Sequence, residues 1–599
     1  MESYLWCGST GARRNHGLHF HSSITIVIPV AIVMLLLGHI NGLAMTTSFL
    51  ILSCLNIIML LFLCREWSVD GIRLNSMDIA VTAFFLWQII SAVWSIRPGL
   101  TVEENLYVIG CLPAYLLIRT YVIENGSERL IMDLANVGII LITTGLIVYA
   151  GVIGYGVEQV SSYRLKATMG NCNLYSAVLL LLWPAQIIRL RIKKKPFSIA
   201  VWLMLVIIVI ILTVSRSGWL GLMAGGAVLL IFMTTVPRWK RTLLMVMTLL
   251  ILTTALGLVK MQGREESNRN RVSAWRNSIS IAGRRPLTGM GYGTYPYAYR
   301  SWDAGHNSGE ESFIAPLHAH NIFLHILTET GIPGLLLFLY IMFSAYRLSL
   351  TKITANKDER LWHIYAVTAL VGFTLHELFN CYLNYPALAL PFWLIIGGIS
   401  SAERRYIIHF KTGKLMSALL LAAAFLLLIF SVKIGMGRFL YTGGRGLYEQ
   451  GKYELAMQKL VKAAEWDTNQ PLYRAYIGKA CYRLYEQKGE DRYLKEAIAS
   501  YELAVADKQP EPRYLLDLAA LYNAANNIGK MCELREKAER IYPSSSNIIS
   551  LSQEYGCKPG FVNISGISIK CGRDNLSVWD IMVNKRQTHW GLVAPLTQS

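Results

Sequence analysis

Charge is what this chain has least of. Only 16% of its 599 residues are Asp, Glu, Lys or Arg, against about 25% in a soluble protein. Hydrophobic residues make up 53%, and the mean hydropathy is +0.39. This deficit excludes an ordinary soluble domain. Ten cysteines are scattered without a Cys-x-x-Cys pair or zinc spacing, which removes a zinc ribbon or a dithiol redox centre. Cys54, Cys64, Cys111, Cys172 and Cys381 read as small apolar packing residues, while Cys557 and Cys571 are candidates for a disulfide. There is no Asp-x-Asp pair and no His-Glu-x-x-His run. A site built on a divalent cation is therefore disfavoured, and no metal or other cofactor is expected.

What is present is length of apolar run. Blocks fall at 23–40, 43–63, 79–96, 106–118, 131–153, 174–190, 197–214, 218–236, 243–259, 331–346, 361–378, 385–400 and 415–432. A bilayer needs about 20 apolar residues per helix, so the expected fold class is an all-α polytopic membrane protein of about 12–13 transmembrane helices. The block at 106–118 is the weakest. The net charge of +19 reports topology before anything else. Basic clusters such as Arg189, Arg191, Lys193, Lys194 and Lys195, or Arg347, Lys352, Lys357 and Arg360, fall on alternate loops. If all thirteen spans are real, every cluster lies on the side of the N-terminus, and the positive-inside rule makes that side cytoplasmic. Nucleic acid is not an expected partner; membrane lipid is.

The resulting organisation is a cytoplasmic segment at 1–22, a transmembrane domain at 23–435 with a large outer loop at 260–330, and an outward C-terminal region. Charged sequence with apolar residues at helical spacing begins near Gly444. Ala463, Ala504 and Ala538 mark equivalent places 41 and 34 residues apart. The second interval matches the tetratricopeptide period of about 34, and the first fits with an insertion. Repeats of helix–turn–helix type are expected over 444–543, with a surface for docking a protein partner or guiding an acceptor. The tail at 544–599 has no clear period and is left unassigned.

Several outward polar groups have the chemistry of a site. Arg216, in Ser215-Arg216-Ser217-Gly218, is squeezed between two apolar spans and needs an anionic partner or a polar cavity; a planar fork of donors suits a diphosphate. Arg164 and Lys166 occupy a basic, amide-rich loop facing outward against the usual bias. In the long loop, Arg269, Ser273 and Arg276 have helical spacing and share one face of a short amphipathic helix. The run Gly289-Met290-Gly291-Tyr292-Gly293 has no preceding strand, so it reads as a turn rather than a phosphate cradle. His318 and His320, followed by Asn321, end the loop. A neutral imidazole there suits proton abstraction from a hydroxyl or a hydrogen bond to a phosphate oxygen. Glu329 reads as a carboxylate at the N-terminus of the next span, favoured by its dipole.

These features resemble the O-antigen ligase and polymerase superfamily. The resemblance rests on Asp78 to Trp94-Ser95, on Arg164 to Asn173, and on Ser215-Arg216-Ser217-Gly218. It continues through Arg271 to Trp275, Pro286 to Gly293, and the element His320-Asn321 to Glu329-x-Gly331, covering roughly residues 23–400. It implies a metal-independent membrane glycosyltransferase related to the GT-C architecture. Such an enzyme takes a glycan from undecaprenyl diphosphate at the outer leaflet of the plasma membrane and moves it to an acceptor glycan, lipid or protein. It implies that Arg216, Arg269, Arg271, Arg276 and Arg164 hold the diphosphate. It also implies that His320, with His318 as second choice, orients or deprotonates the acceptor hydroxyl, supported by Asn321 and Glu329. Ligase, polymerase and protein O-oligosaccharyltransferase remain alternatives. From another class, so does an anion or solute transporter, for which His376-Glu377 is the most favourable feature.

Overall fold

Caps and prolines decide where the apolar runs become helices. Asn75 accepts from the Asp78 amide (2.9 Å) while Asp78 accepts from the Asn75 amide (2.8 Å), a reciprocal capping box. Asn171 caps the Asn173 and Leu174 amides (2.9 and 3.2 Å), and Asn321 those of Phe323 and Leu324 (both 3.0 Å). Prolines at 196, 386, 471 and 512 open four more helices, where a missing N–H costs nothing. The computed structural model describes residues 72–108, 110–154, 163–233, 265–303, 316–355, 359–403, 405–410, 414–468, 470–506 and 510–541.

The element order is β1 (Ile72–Leu74), α1 (Ser76–Ile90), α2 (Pro98–Val108), α3 (Cys111–Asn125), α4 (Ser127–Gly154), α5 (Cys172–Ile192), α6 (Pro196–Thr213) and α7 (Arg216–Met233). It continues with α8 (Glu265–Arg284), α9 (Tyr295–Asp303), α10 (Ile322–Ala355), α11 (Arg360–Glu377), α12 (Pro386–Ser400), β2 (Ile408–Phe410) and α13 (Lys414–Glu449). Last come α14 (Tyr453–Trp466), α15 (Pro471–Lys488), α16 (Asp491–Ala504), α17 (Pro512–Ala524) and α18 (Ile528–Ile541). Among the described residues the protein is all-α apart from one ribbon, β1 antiparallel to β2 with Arg73 opposite His409. Among the described residues seven helices are long and apolar enough to cross a membrane: Ser76–Val93, Pro98–Asn125, Ser127–Ile153, Cys172–Ile192, Pro196–Thr213, Arg216–Met233 and Ile322–Ala355. The weak block at 106–118 thus belongs to a longer apolar stretch formed by α2 and α3. Pro386–Ser400 is a shorter apolar helix, buried along its whole length in the bundle. The blocks expected at 23–40, 43–63 and 243–259 lie outside the described residues, as do Cys557, Cys571 and the tail.

The span expected at 331–346 begins earlier. Asn321 starts α10 at Ile322, and the helix bends at Gly331, where φ is 69°. A Cβ at Gly331 would sit 2.7 Å from the Leu287 carbonyl carbon, so glycine serves both the left-handed backbone and the close approach. Pro333 follows, where it acts as the start of a second helical segment.

Two contacts set the bundle's geometry. Asp78, fully buried, binds Arg119 Nε (3.0 Å), the Tyr115 hydroxyl (2.6 Å) and the Ser400 hydroxyl (2.8 Å), joining α1, α3 and α12. At the other contact α7 and α11 touch backbone to backbone, since a Cβ on Gly221 would lie 2.6 Å from the Gly372 carbonyl oxygen. Small residues let membrane helices approach this closely. Beyond the bundle, α13 is 36 residues long, about 54 Å, longer than the roughly 30 Å hydrocarbon core. Its distal end packs on α14, and α15–α16 and α17–α18 form two further helical hairpins. Ala463, Ala504 and Ala538 are all fully buried, one in each second helix. This region docks on the bundle through polar contacts. Arg300 of α9 binds both Glu511 oxygens at 2.7 Å, and Glu103 of α2 receives Arg438 and Gln470.

Candidate functional site

The close packing of α7 on α11 brings the two ends that matter together. Val214 ends α6 in a left-handed conformation (φ 51°), strained for a β-branched residue. Ser215 then caps α7, its hydroxyl accepting from the Gly218 amide (3.2 Å), which sets Arg216 at the first helical position. Arg216 is half-buried and donates to Asn268 Oδ1 (3.3 Å) on α8. One turn further along the same helix stands Arg271, close enough to His320 to depress its basicity. Trp275, another turn on, donates from its indole to the His320 carbonyl (3.2 Å). Helix α8 therefore ties the Arg216 turn to the histidine segment.

His320 is itself strained, with φ 52°, and its Nδ1 is buried with no hydrogen-bond partner among the described residues. Burial first, then the Arg271 guanidinium, pulls its pKa down to about 4. His318 lies edge-on to His320 at 5.3 Å between ring centres. Burial, then that neighbour, pulls it to about 3. Both imidazoles are thus neutral proton acceptors at ordinary pH. Asn321, besides capping α10, donates to the Leu378 carbonyl (3.1 Å).

Four expected residues sit differently. Arg164 spends its donors on the Thr213 and Val214 carbonyls (3.2 and 3.1 Å) and on Asn173 Oδ1 (3.4 Å). It braces the end of α6 in the manner of a C-terminal cation, so its part is to shape the turn before Arg216. Arg269 and Arg276 are exposed on α8. At 100° per residue they lie roughly 20° apart and about 140–160° from Arg271, so the helix presents them on its opposite side. Glu329 is not an N-terminal carboxylate of a span. It is buried inside α10 ahead of the bend, accepting the Tyr295 amide (3.0 Å) and standing 3.5 Å from His325 Nε2. The glycine run builds a turn that sews the loop to α10, with Met290 and Gly291 amides bonded to the Thr328 and Glu329 carbonyls (3.0 and 2.9 Å). Gly291, at φ 105°, lies where a Cβ would meet Ser95 at 2.3 Å.

Residues 378–385, between α11 and α12, make contacts that no motif in the sequence announces. Asn380 donates to the Ser217 hydroxyl (2.7 Å). The Tyr382 ring stands 5.3 Å from His318, with its hydroxyl facing the amides of Asn173 and Asn171. Phe379 faces Trp275 at 6.2 Å, Tyr385 faces His318 at 6.3 Å, and Asn384 binds His325 Nε2 (3.0 Å). The signal is a cluster of two asparagines and two tyrosines between apolar spans, too short to stand out. Beneath this segment is a small cavity of about 20 Å³, enough for a single water, bordered by Gln88, His325, Glu329 and Asn384. Among the described residues no three His, Cys, Asp or Glu side chains form a set able to hold a metal ion.

Residues 199–339 match the family model described as O-antigen ligase. That stretch takes in Arg216, the whole of α8, the histidine pair and Glu329. Over 115 residues the chain is 27% identical to the exopolysaccharide production protein ExoQ of Rhizobium meliloti (strain 1021), a match covering 18% of this chain and 26% of that protein. The chain thus spans about a quarter of the length of this curated relative. The two similarities support a place in the O-antigen ligase superfamily associated with polysaccharide biosynthesis.

Proposed function

We propose that the chain is a membrane glycosyltransferase that moves a glycan from undecaprenyl diphosphate to an acceptor hydroxyl at the outer face of the plasma membrane. The observation that carries this reading is the bridge through α8. Arg216 bonds Asn268, and Arg271, one turn away, lies against the neutral His320. Arg216 of α7 and His320 ahead of α10 both contact α8, which pairs a cationic surface for a departing diphosphate with a proton acceptor for an incoming hydroxyl.

The chemistry is a single displacement. The His320 imidazole takes the acceptor's hydroxyl proton as the acceptor oxygen bonds to the anomeric carbon. The bond from that carbon to the diphosphate oxygen breaks, and the electron pair leaves with the diphosphate. Arg216 and Arg271 stabilise the charge that develops there. A bound diphosphate also offsets the field of Arg271, so His320 becomes more basic when donor is present. Inversion at the anomeric carbon follows from one displacement.

The test uses the full chain in vesicles carrying a lipid-diphosphate-linked glycan. Arg216→Ala or His320→Ala should lower transfer by about 100-fold or more without loss of folded protein; wild-type transfer in either variant contradicts the mechanism. Ligase and polymerase readings separate in cells lacking the protein. Long lipid-linked chains accumulate in the first case and single repeat units in the second. Unchanged lipid intermediates with altered solute uptake would instead indicate a transporter.

A further inference from the structure

One buried carboxylate holds the segment 378–385 in place. Glu377, with no exposed surface at the end of α11, contacts His376 Nδ1 through one oxygen (2.9 Å) and accepts the Tyr382 backbone N–H on the other (2.7 Å). The 2.9 Å contact holds the Nδ1 side of the His376 ring against the carboxyl and turns Nε2 away from it. That Nε2 is buried and without a hydrogen-bond partner among the described residues. His376 is anchored further by its own carbonyl, which accepts from Asn380 Nδ2 (3.0 Å). From this anchor the segment reaches three parts of the candidate site. Its Leu378 carbonyl receives Asn321, Asn380 holds Ser217 beside Arg216, and Tyr382 lies against His318.

We propose that Glu377 and His376 are positioning residues for glycan transfer, holding segment 378–385 as the wall that sets the histidine pair against the Arg216 turn. The proposal deepens the transfer reading and rests on it, but the geometry it asserts is measurable without any turnover. Glutamine at 377 has one acceptor and one donor end. With its oxygen on the Tyr382 N–H, it turns an N–H toward His376 Nδ1, which accepts only if the ring carries its proton on the buried, unpartnered Nε2, so the anchor is weakened. Misplacement of reacting groups by about 1 Å costs on the order of 100-fold in rate.

Two readouts on the full chain in vesicles test this. In the first, Glu377→Gln should lower kcat by about 100-fold while the donor KM stays within roughly threefold of wild type. Glu377→Asp should recover part of the loss, and Asn380→Ala, which cuts the Ser217 tether, should show the same split. In the second, acylation by diethyl pyrocarbonate followed by peptide mapping should modify His318 faster in Glu377→Gln than in wild type. Transfer at the wild-type rate, a change in KM alone, or a loss that merely follows the amount of folded protein overturns the proposal. Should the wild type transfer nothing from any lipid-diphosphate donor, the functional reading fails and the labelling decides. Faster His318 modification in Glu377→Gln then sustains the positioning role, and an unchanged rate overturns it. If Glu377→Gln does not fold, Glu377→Asp and Asn380→Ala carry both readouts by the same criteria.

Discussion

At the scale of single residues, the pair His318 and His320 makes a prediction about pH. Burial, with Arg271 second, holds His320 at about 4, and burial, with His320 second, holds His318 at about 3. In the unfolded chain both titrate near 6.5. Between about pH 6.5 and 4 the unfolded state therefore binds more protons than the folded one, so stability rises with pH across that window. The contribution of these two rings is complete above about 6.5 and is lost as the pH falls toward 4. Under the proposed transfer, activity should follow the same sign, because only a neutral His320 accepts a proton. The acid limb of kcat/KM should lie near pH 4 in the wild type. Arg271→Gln removes the second cause but not the burial, so the limb should move part of the way toward 6.5, whatever the height of the profile. An unmoved limb would separate Arg271 from His320. Asn321 gives a stability counterpart. Asn321→Ala removes the cap and the bond to Leu378 and should cost about 1–2 kcal/mol. Asn321→Ser restores the cap only, so thermal stability should recover while transfer does not.

At the scale of elements, α8 shows what spacing reveals and what it leaves hidden. The three-and-four spacing of Arg269, Ser273 and Arg276 announces a helix, and a helix is there. Spacing cannot say which face meets the rest of the protein. The answer came from Trp275 and from Ala274 and Ser278, buried on the side of Arg271. Arg269 and Arg276 are thus expected to act by long-range attraction alone. The double variant Arg269→Ala with Arg276→Ala should weaken donor capture by less than about tenfold, an effect that fades at high salt. Arg271→Ala should reduce transfer more, at every salt concentration. A double variant as inactive as Arg271→Ala would show that the exposed face contacts the donor. The same limit explains the other differences. The apolar runs that build α4, α5, α6 and α7 were legible because hydropathy is a local property. The bend at Gly331, the burial of Glu329 and the role of segment 378–385 depend on contacts between residues far apart in the chain. Asn380 and Ser217 are one example, separated by 163 positions, and no period in the sequence records such a pair.

At the scale of the whole molecule, the C-terminal helical hairpins are joined to the bundle at three kinds of contact. α13 runs without a break from an apolar block into the first hairpin. Glu103, with 5% of its side chain exposed, meets Arg438, and Arg300 grips Glu511 with both partners about a quarter exposed or less. The Arg300 contact matters beyond docking, because α9 leads back to the site. Its first residue, Tyr295, bonds Ser278 of α8 (3.0 Å), gives its amide to Glu329 (3.0 Å) and faces His325 at 5.0 Å. One short helix thus connects Arg300 to α8, which carries Arg271, and to α10, which follows His320. Deleting 444–599 would remove Gln470 from Glu103 and Glu511 from Arg300 as well as any acceptor surface. A charge exchange is the cleaner experiment. Arg300→Glu and Glu511→Arg should each place like charges together, loosen the hairpins and lower transfer. Combined, they restore an opposite-charge pair, so protease resistance of the 440–540 region and transfer should both recover, with a coupling of roughly 1–3 kcal/mol. Recovery of protease resistance without transfer would mean that α9 transmits nothing to the site. Single variants as resistant and as active as the wild type would mean that this ion pair does not join the two parts of the protein.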